Sequence, residues 1–385
     1  MALPLDGVVV VDFSQFLAGP FATLRLLDLG ATVIKVENPE GGDLCRRLYL
    51  TDTLLDGGDS TLFHAINRGK QSIALNLKTK QGQADARALA AQADIVIQNF
   101  RPGVIERLGL GYDSVRKTNP KVVYGSVSGY GETGPWHGLP GQDLLAQARS
   151  GIMWLSGNND AGPVPVGIPL GDILAGATLA HGVLAGLYQQ ATKAEGCHVQ
   201  TSLLECLVDA QFEFLTTYLN SGQKKPERAA QGSAHVYLGA PYGVYDTADG
   251  QLALAMTPIE VLADTLNLPE LNAFAPPEGS MFAHREEIKS LVAQQLRTKS
   301  ARDWEDVLAP QGVWCARILE WDEMLGSKTF KALDMVSTFT GGEGDAFFLR
   351  APLRVDGTRA SVKAYGPRLN ANESTIRRTF QLDLR

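Results

Sequence analysis

Cysteine is scarce: four residues in 385, Cys45, Cys197, Cys206 and Cys315, far apart and without a C-x-x-C pair. That argues against a disulfide framework and a zinc site, and the thiols read as reduced, mostly buried groups of a cytoplasmic protein. The six histidines, His64, His137, His181, His198, His235 and His284, show no metal-ligand spacing and no H-E-x-x-H pattern, so no metal is expected. No G-x-S-x-G elbow and no Walker loop occurs, which sets aside serine hydrolases and P-loop enzymes. Basic charge is short as well. Against 42 Asp and Glu stand 35 Lys and Arg, a formal net charge of −7 that leaves no footprint for nucleic acid. The opening Met1-Ala-Leu-Pro-Leu-Asp lacks a basic segment followed by an apolar one, so no targeting signal is expected. The one long uncharged stretch, Ile173 to Thr192, holds His181, Gln189, Gln190 and three glycines and reads as a helix buried in protein, not a membrane span.

What remains is an ordinary globular composition, 44% hydrophobic and 20% charged, long enough for two domains. The first half alternates strand and helix. Val8 to Asp12, Thr32 to Glu37, Ser72 to Leu77, Asp94 to Ile97 and Lys121 to Val127 read as strands, with helices after Pro20 and over Gln81 to Ala93. This pattern predicts a doubly wound α/β domain on a parallel sheet, whose ligand crevice lies beyond the carboxyl ends of the strands. A helix, a strand at His198 to Ser202 and a long helix to about Leu219 follow. Ser221-Gly-Gln-Lys-Lys-Pro226 then marks a domain boundary. Beyond it come a strand at Gln251 to Met256, helices over Ile259–Leu266, Glu286–Arg297 and Ala301–Leu308, and a final strand at Phe347 to Val355.

Each motif has two readings. Val8 to Glu37 imitates a dinucleotide-binding unit, but its loop Phe13-Ser-Gln-Phe-Leu-Ala-Gly-Pro20 has one glycine where the pyrophosphate fingerprint needs three. Glu37 is either a ribose ligand or a solvated strand end. Gln98 to Gly109 follows a strand and opens a helix; its amides and Arg107 suit a phosphate and Phe100 suits a flat base, or the segment is an ordinary turn. Ser128-Gly-Tyr-Gly-Glu-Thr-Gly-Pro135 either approaches a ligand closely or only reverses the chain. Asp172, just before the uncharged helix, fits an N-cap. It also fits a nucleophile kept ionised by the helix dipole, with Gly171 leaving room for a thioester.

Taken together, Val11-Asp-Phe-Ser-Gln-Phe-Leu-Ala-Gly-Pro20, Gly30-Ala-Thr-Val-Ile-Lys-Val-Glu37, Asn67-Arg-Gly-Lys-Gln-Ser72, Asn99-Phe-Arg-Pro-Gly103, Ser128-Gly-Tyr-Gly131 and Gly171-Asp172 resemble the family III CoA-transferases, the CaiB/BaiF group, which includes formyl-CoA transferase and the α-methylacyl-CoA racemases. The resemblance implies that Asp172 is the catalytic aspartate. It implies that coenzyme A, a substrate and not a tightly bound cofactor, is held by Phe16, Leu17, Ala18, Leu75, Lys78, Asn99, Phe100, Arg107 and Leu108. It further implies a Rossmann-like large domain and a smaller α+β domain, with two chains interlocked in a homodimer. The large domain would comprise residues 1–220 and a C-terminal return over 331–385, and the small domain residues 221–330.

Within that family the racemases carry a His-Asp pair where this chain has Gln142-Asp143, and an amide cannot shuttle a proton. Transfer of CoA from an acyl-CoA to a free carboxylic acid, through an aspartyl anhydride on Asp172, is therefore the first reading. A racemase and a non-catalytic CoA-binding protein are the alternatives. Leu17 and Leu48 stand where the formyl/oxalyl enzyme has Gln and Trp, which disfavours a formate/oxalate pair. Gly232 and His235, in Gln231-Gly-Ser-Ala-His235, occupy the place of the family's flexible glycine loop, and Gln142 borders the substrate. Arg46 or Arg47 would pair with the distal carboxylate of a dicarboxylic acid, or face solvent.

Overall fold

The all-apolar runs of the first half become strands because β-branched residues fit a pleated surface covered on both sides. The computed structural model describes residues 3–48, 52–341, 344–361 and 364–382. Its main sheet comprises β1 (Val9–Asp12), β2 (Thr32–Glu37), β3 (Gln71–Ala74), β4 (Ile95–Gln98), β5 (Val123–Ser128) and β6 (Cys197–Ser202). All pairings are parallel, in the order β3-β2-β1-β4-β5-β6. This is the doubly wound arrangement, with its direction of winding reversed between β1 and β4.

Helices cover both faces: α1 (Ala18–Asp28), α2 (Thr61–Asn67), α3 (Lys80–Ala90), α4 (Val104–Arg107), α5 (Tyr112–Thr118), α6 (Asp143–Ser150) and α7 (Leu170–Lys193). On one face Val11, Ile34, Ile73, Val96 and Tyr124 share a core with Ala86, Leu89, Ile105 and Val115. On the other, α7 runs along α1, β5 and β6. Glycines set that packing. A Cβ on Gly176 would lie 2.5 Å from the Ala18 carbonyl oxygen, and one on Gly186 2.7 Å from Cys197 Sγ and Val123 Cγ1. By length and composition α7 could cross a bilayer; in this fold it is the helix that closes the second face of the sheet.

The chain forms two compact units. The first is Met1–Ala146, Pro169–Leu207 and Thr329–Arg385; the second is Gln147–Ile168 and Val208–Lys328. Residues 147–168 and 208–220, expected with the N-terminal part, thus fall in the second unit. Polar bonds explain why: Arg228 donates to the carbonyls of Ser156 at 2.5 Å and Gly162 at 2.6 Å, and Gln211 Nε2 to that of Ser150 at 3.2 Å. Around Gln211 the helix expected to continue to Leu219 breaks into α8 (Leu203–Asp209) and α9 (Phe212–Asn220). The rest of the second unit packs α10 (Ile259–Leu266), α11 (Arg285–Leu296) and α12 (Ala301–Leu308) on an antiparallel sheet of β7 (Gly243–Asp246), β8 (Gln251–Leu254) and β9 (Cys315–Arg317). Tyr245, Leu252, Leu262, Ile288, Val292 and Trp304 form its core. Back in the first unit, only Phe347–Leu349 of the last strand expected over Phe347 to Val355 is strand, as the end of β11 (Gly344–Leu349), which forms a hairpin with β10 (Val336–Gly341). The mixed polar run Val-Ser-Thr-Phe-Thr hides β10 from a hydrophobicity reading.

Because the α1–α7 contact leaves no room at residue 176, Gly176→Val is expected to lower stability by about 2–3 kcal/mol. Thermal unfolding of the purified variant checks this; an unchanged melting temperature would contradict the close approach.

Candidate active site

The loops after β1 and β4 meet where the sheet reverses its winding, the place where open α/β sheets bind ligands. The Asn99 side chain ties them together. Its Oδ1 accepts the Gln15 N–H at 2.8 Å and its Nδ2 donates to the Gln15 carbonyl at 2.7 Å. The next residue, Phe16, sits at φ +61°, a left-handed backbone that costs a bulky side chain energy. It is held there by neighbours: Phe16 N–H donates to Asp43 Oδ1 at 3.2 Å and its carbonyl receives the Cys45 thiol at 3.7 Å. Asp43 is in turn fixed by a buried ion pair with Lys35 Nζ at 2.8 Å. Leu17 then caps α1, and Ala18 opens it.

Asp172 lies in the first turn of α7, and it is not the cap. The N-cap is Pro169, which has no side chain to offer the free amides. Asp143 supplies the acceptor from α6: its Oδ1 takes the Gly171 N–H at 2.6 Å and the Asp172 N–H at 3.3 Å. Gly171 eases this approach, since a Cβ there would crowd Asp143 Oδ1 at 3.0 Å and Leu207 at 3.1 Å. The space expected beside Asp172 for a thioester is therefore filled by a carboxylate. A second glycine contact places Asp143: a Cβ on Gly129 would lie 2.5 Å from Gly141 Cα, so the chain before α6 crosses directly over the end of β5.

The Asp172 carboxylate accepts the Ala18 N–H and so faces the starts of two helices. Dipoles favour its anion, yet they do not win. Burial, then the like charge of Asp143, push its pKa up from 3.8 to about 7, with the Ala18 N–H pulling the other way. The expectation of an aspartate fully ionised at neutral pH is corrected accordingly: near pH 7 the acid and the anion coexist. Sequence reasoning missed Asp143 in this role. The available signal was a helix whose N-cap position is a proline, so that an acceptor had to come from elsewhere.

The remaining predicted residues divide by environment. Leu75, Phe100 and Leu108 come together against one core cluster, Leu75 buried and the other two half-buried. Lys78 and Arg107 are exposed, and among the described residues neither has an ion-pair partner. Leu48 is 43% exposed. Gln142 is exposed at the start of α6, its carbonyl accepting from the Ala146 N–H at 3.0 Å. Gly232 and His235 lie in the second unit. Gly232, at φ +57°, abuts the Val244 carbonyl so closely that no Cβ fits, and its own carbonyl receives Lys289 Nζ at 2.9 Å. His235 is half-buried on Phe214, ring centroids 4.5 Å apart, with Nδ1 accepting the Tyr237 N–H at 3.1 Å.

Two expectations fail outright. Glu37 is neither a ribose ligand nor solvated: it is buried and takes Arg46 at 2.7 and 2.8 Å and the Ser72 hydroxyl at 2.6 Å. Arg46 is 3% exposed and spent on Glu37, Asp59 and the Pro367 carbonyl, so it is unavailable to a substrate.

The sequence pattern of CoA-transferase family III matches residues 5–373. The chain belongs to this family. A succinate–glutarate CoA-transferase of Agrobacterium fabrum is 31% identical over 97% of this chain and 94% of its own length. An acetyl-CoA:oxalate CoA-transferase of Acetobacter aceti is 32% identical over 98% of this chain and 96% of its own. The crystal structure of a CAIB/BAIF family protein from Brucella suis superposes with a TM-score of 0.85 at 32% identity, covering 99% of this chain and 100% of that one. The protein is thus an acyl-CoA:carboxylate CoA-transferase, with CoA thioesters as substrates.

For a transferase that uses Asp172 as its nucleophile, the raised pKa would have two consequences. Attack needs the anion, so kcat/KM for an acyl-CoA donor is expected to fall as pH drops through about 7. Asp143→Asn keeps an oxygen for the α7 amides and removes the like charge, so it shifts that acid limb to lower pH. A profile flat from pH 8 to 5 would contradict the assignment. Stability moves with the opposite demand. A carboxyl raised on folding stabilises fully below its unfolded value of 3.8, and that contribution is lost as pH rises through about 7. Asp172→Asn is therefore expected to gain on the order of 3 kcal/mol over the native protein above pH 8 and almost nothing below pH 4. Denaturant titrations at the two pH values check the sign.

Proposed function

We propose that Asp172 is the acyl carrier in CoA transfer. Its carboxylate adds to the donor thioester carbonyl and expels CoA thiolate, leaving a mixed anhydride on the enzyme. The thiolate then attacks the aspartyl carbonyl, releasing the donor acid and leaving an aspartyl-CoA thioester. The acceptor carboxylate attacks that thioester to form a second anhydride, and the thiolate takes the acceptor acyl group from it, freeing Asp172. The observation that carries this reading is the half-buried Asp172 beside Asp143. Acylation neutralises Asp172 and relieves both the burial cost and the repulsion that raise its pKa. A carboxylate made more basic is also a better nucleophile toward a thioester. Its backbone partner, the Ala18 N–H, is placed to donate to the oxygens that carry charge as the anhydride forms.

CoA lies across the switch point of the sheet. Phe100, Leu75 and Leu108 offer an apolar seat for adenine, Lys78 and Arg107 meet its phosphates, and the Phe16–Ala18 loop, fixed by Asn99, faces the pantetheine arm. A racemase needs a second acid/base, and Gln142 offers only an amide. The acceptor is larger or less polar than formate or oxalate, with Leu17 and Leu48 at its site. The Agrobacterium relative, by its name, acts on succinate and glutarate, so dicarboxylic acids are assayed first. Two chains interlock as a homodimer, a reading supported by α9, which has no buried residue although Phe212 and Leu219 are apolar.

Asp172→Ala is expected to abolish exchange between acyl-CoA donors and free acids, a loss of at least about 10³-fold, while CoA still binds. Mass spectrometry of the thioesters formed from a panel of donors and acids, with calorimetric CoA binding, reads both. Retained exchange would overturn the mechanism. A light-scattering mass that falls to the monomer on dilution would overturn the interlocked dimer.

A further inference from the structure

We infer that Asp43 is a positioning residue for CoA transfer: its carboxylate holds the Phe16 backbone in the left-handed region, and the Ala18 N–H is thereby aimed at the Asp172 carboxylate. That role rests on the Asp172 chemistry proposed above and adds the group, outside the loop, that keeps its donor in place.

Phe16 is bulky, stands at φ +61° and is 43% exposed, so burial of its ring does not offset the backbone cost. Backbone bonds must do so. Up to Gln15 the loop is tied to the sheet and its neighbours. The Phe13 N–H donates to the Ile97 carbonyl at 2.8 Å, the Ser14 N–H to Asp12 Oδ1 at 2.9 Å, and Gln15 exchanges two bonds with Asn99. From Leu17 onward α1 takes over, with the Phe21 N–H on the Leu17 carbonyl at 2.8 Å. Phe16 lies between these anchors, and both of its backbone groups go to the short 3-10 turn Leu44–Arg47 and its cap. Its N–H donates to Asp43 Oδ1 at 3.2 Å, and its carbonyl receives the Cys45 thiol at 3.7 Å. A thiol is a weak donor, so the carboxylate supplies the stronger of the two bonds.

Asp43 does more than cap its own turn. Capping needs only an acceptor for the Cys45 N–H, which Oδ1 takes at 2.9 Å and which a serine would also supply. It does not need the buried ion pair that the other oxygen makes with Lys35 Nζ at 2.8 Å, both side chains 0% exposed. Lys35 Nζ also donates to the Ser14 carbonyl at 2.9 Å, so one ammonium joins the carboxylate to the loop two residues before Phe16. The main chain of Asp43 is held separately. Its N–H donates to Glu37 Oε2 at 2.9 Å, and Arg46 fastens the turn to the same Glu37. Shortening the Asp43 side chain therefore releases Phe16 and leaves the turn standing. The consequence falls on Asp172. Burial and the Asp143 charge from α6 raise its pKa, and the Ala18 N–H from α1 lowers it. Once Phe16 relaxes to an ordinary backbone, the Ala18 N–H turns away and the Asp172 anion loses that donor.

The test reads the acid limb of kcat/KM against pH for an acyl-CoA donor, in variants that leave neither Lys35 nor Asp43 as an unpaired buried charge. Lys35→Met with Asp43→Asn keeps an oxygen for the Phe16 N–H, and its limb is expected to stay with the native one at about 7. Lys35→Met with Asp43→Ala has the same charge and lacks that oxygen. Its limb is expected about one pH unit higher, the worth of one hydrogen bond to an anion, so that kcat/KM at about pH 6 falls roughly tenfold below that of the first variant. Lys35→Met with Asp43→Ser still caps the turn but is too short for Phe16, and is expected to show the same rise; it carries the test if the alanine variant does not fold. Adding Phe16→Gly to either shortened variant is expected to return the limb, because glycine adopts a positive φ without strain. A limb unmoved by shortening would overturn the inference and leave Asp43 as the cap of its own turn. A limb that moves and is not returned by glycine would overturn it too, since the shift would not pass through the Phe16 backbone. Native enzyme with no acid limb near pH 7 would instead contradict the role of Asp172, a separate failure.

Discussion

One carboxylate oxygen, Asp143 Oδ1, closes the start of α7 and, after burial, adds to the upward pull on the pKa of the residue beside it. The helix begins after a proline and has no cap of its own, so its first amides must find an acceptor outside the helix. Supplying that acceptor as an ionisable group does two things at once. It satisfies the helix start, and it places a negative charge near Asp172. The glycines at 129, 141 and 171 follow from this demand, because each removes a Cβ that would keep the two segments apart. An uncharged cap such as serine would satisfy the same amides and leave Asp172 closer to an ordinary aspartate.

The other side of the site is held with comparable stiffness. The loop after β1 contains a left-handed Phe16, which persists only because Asn99, Asp43 and Cys45 all bond its neighbourhood. Beneath it lies a layer of buried charge. Burial opposes ionisation of Asp12, but Lys70 and Lys35 with the Ser14 and Thr23 hydroxyls hold its carboxyl at about 2. Lys70 donates to Asp12, Thr23, Asn67 and the Pro20 carbonyl, all within 3.1 Å. Such a network is costly to desolvate and contributes little net stability, but it permits one arrangement of the loop and few others.

Much of this was legible in the residues. Alternating apolar runs and helical segments gave the order of the parallel sheet's elements, because strands covered on both faces need uninterrupted Val and Ile. The motif from Val11 to Pro20, with Asn99 and Asp172, led to the family and to a candidate site. What stayed hidden depends on partners distant in sequence. Glu37 and Arg46 are nine positions apart and reveal their pairing only when the chain folds back after β2. Residues 147–168 show no composition shift; their place in the second unit is decided by carbonyl bonds to Arg228. Asp172 looked like a cap because Asp so often is one, and only the path of α6 shows that Asp143 has taken that position.

The central claim, a covalent acyl group on Asp172, is tested most directly by trapping it. The enzyme is incubated with an acyl-CoA donor, quenched with hydroxylamine, digested and sequenced by mass spectrometry. The account predicts a hydroxamate on the peptide containing Gly171-Asp172, formed only when donor is present. A modification confined to another residue, or none under conditions where CoA is transferred, would contradict it.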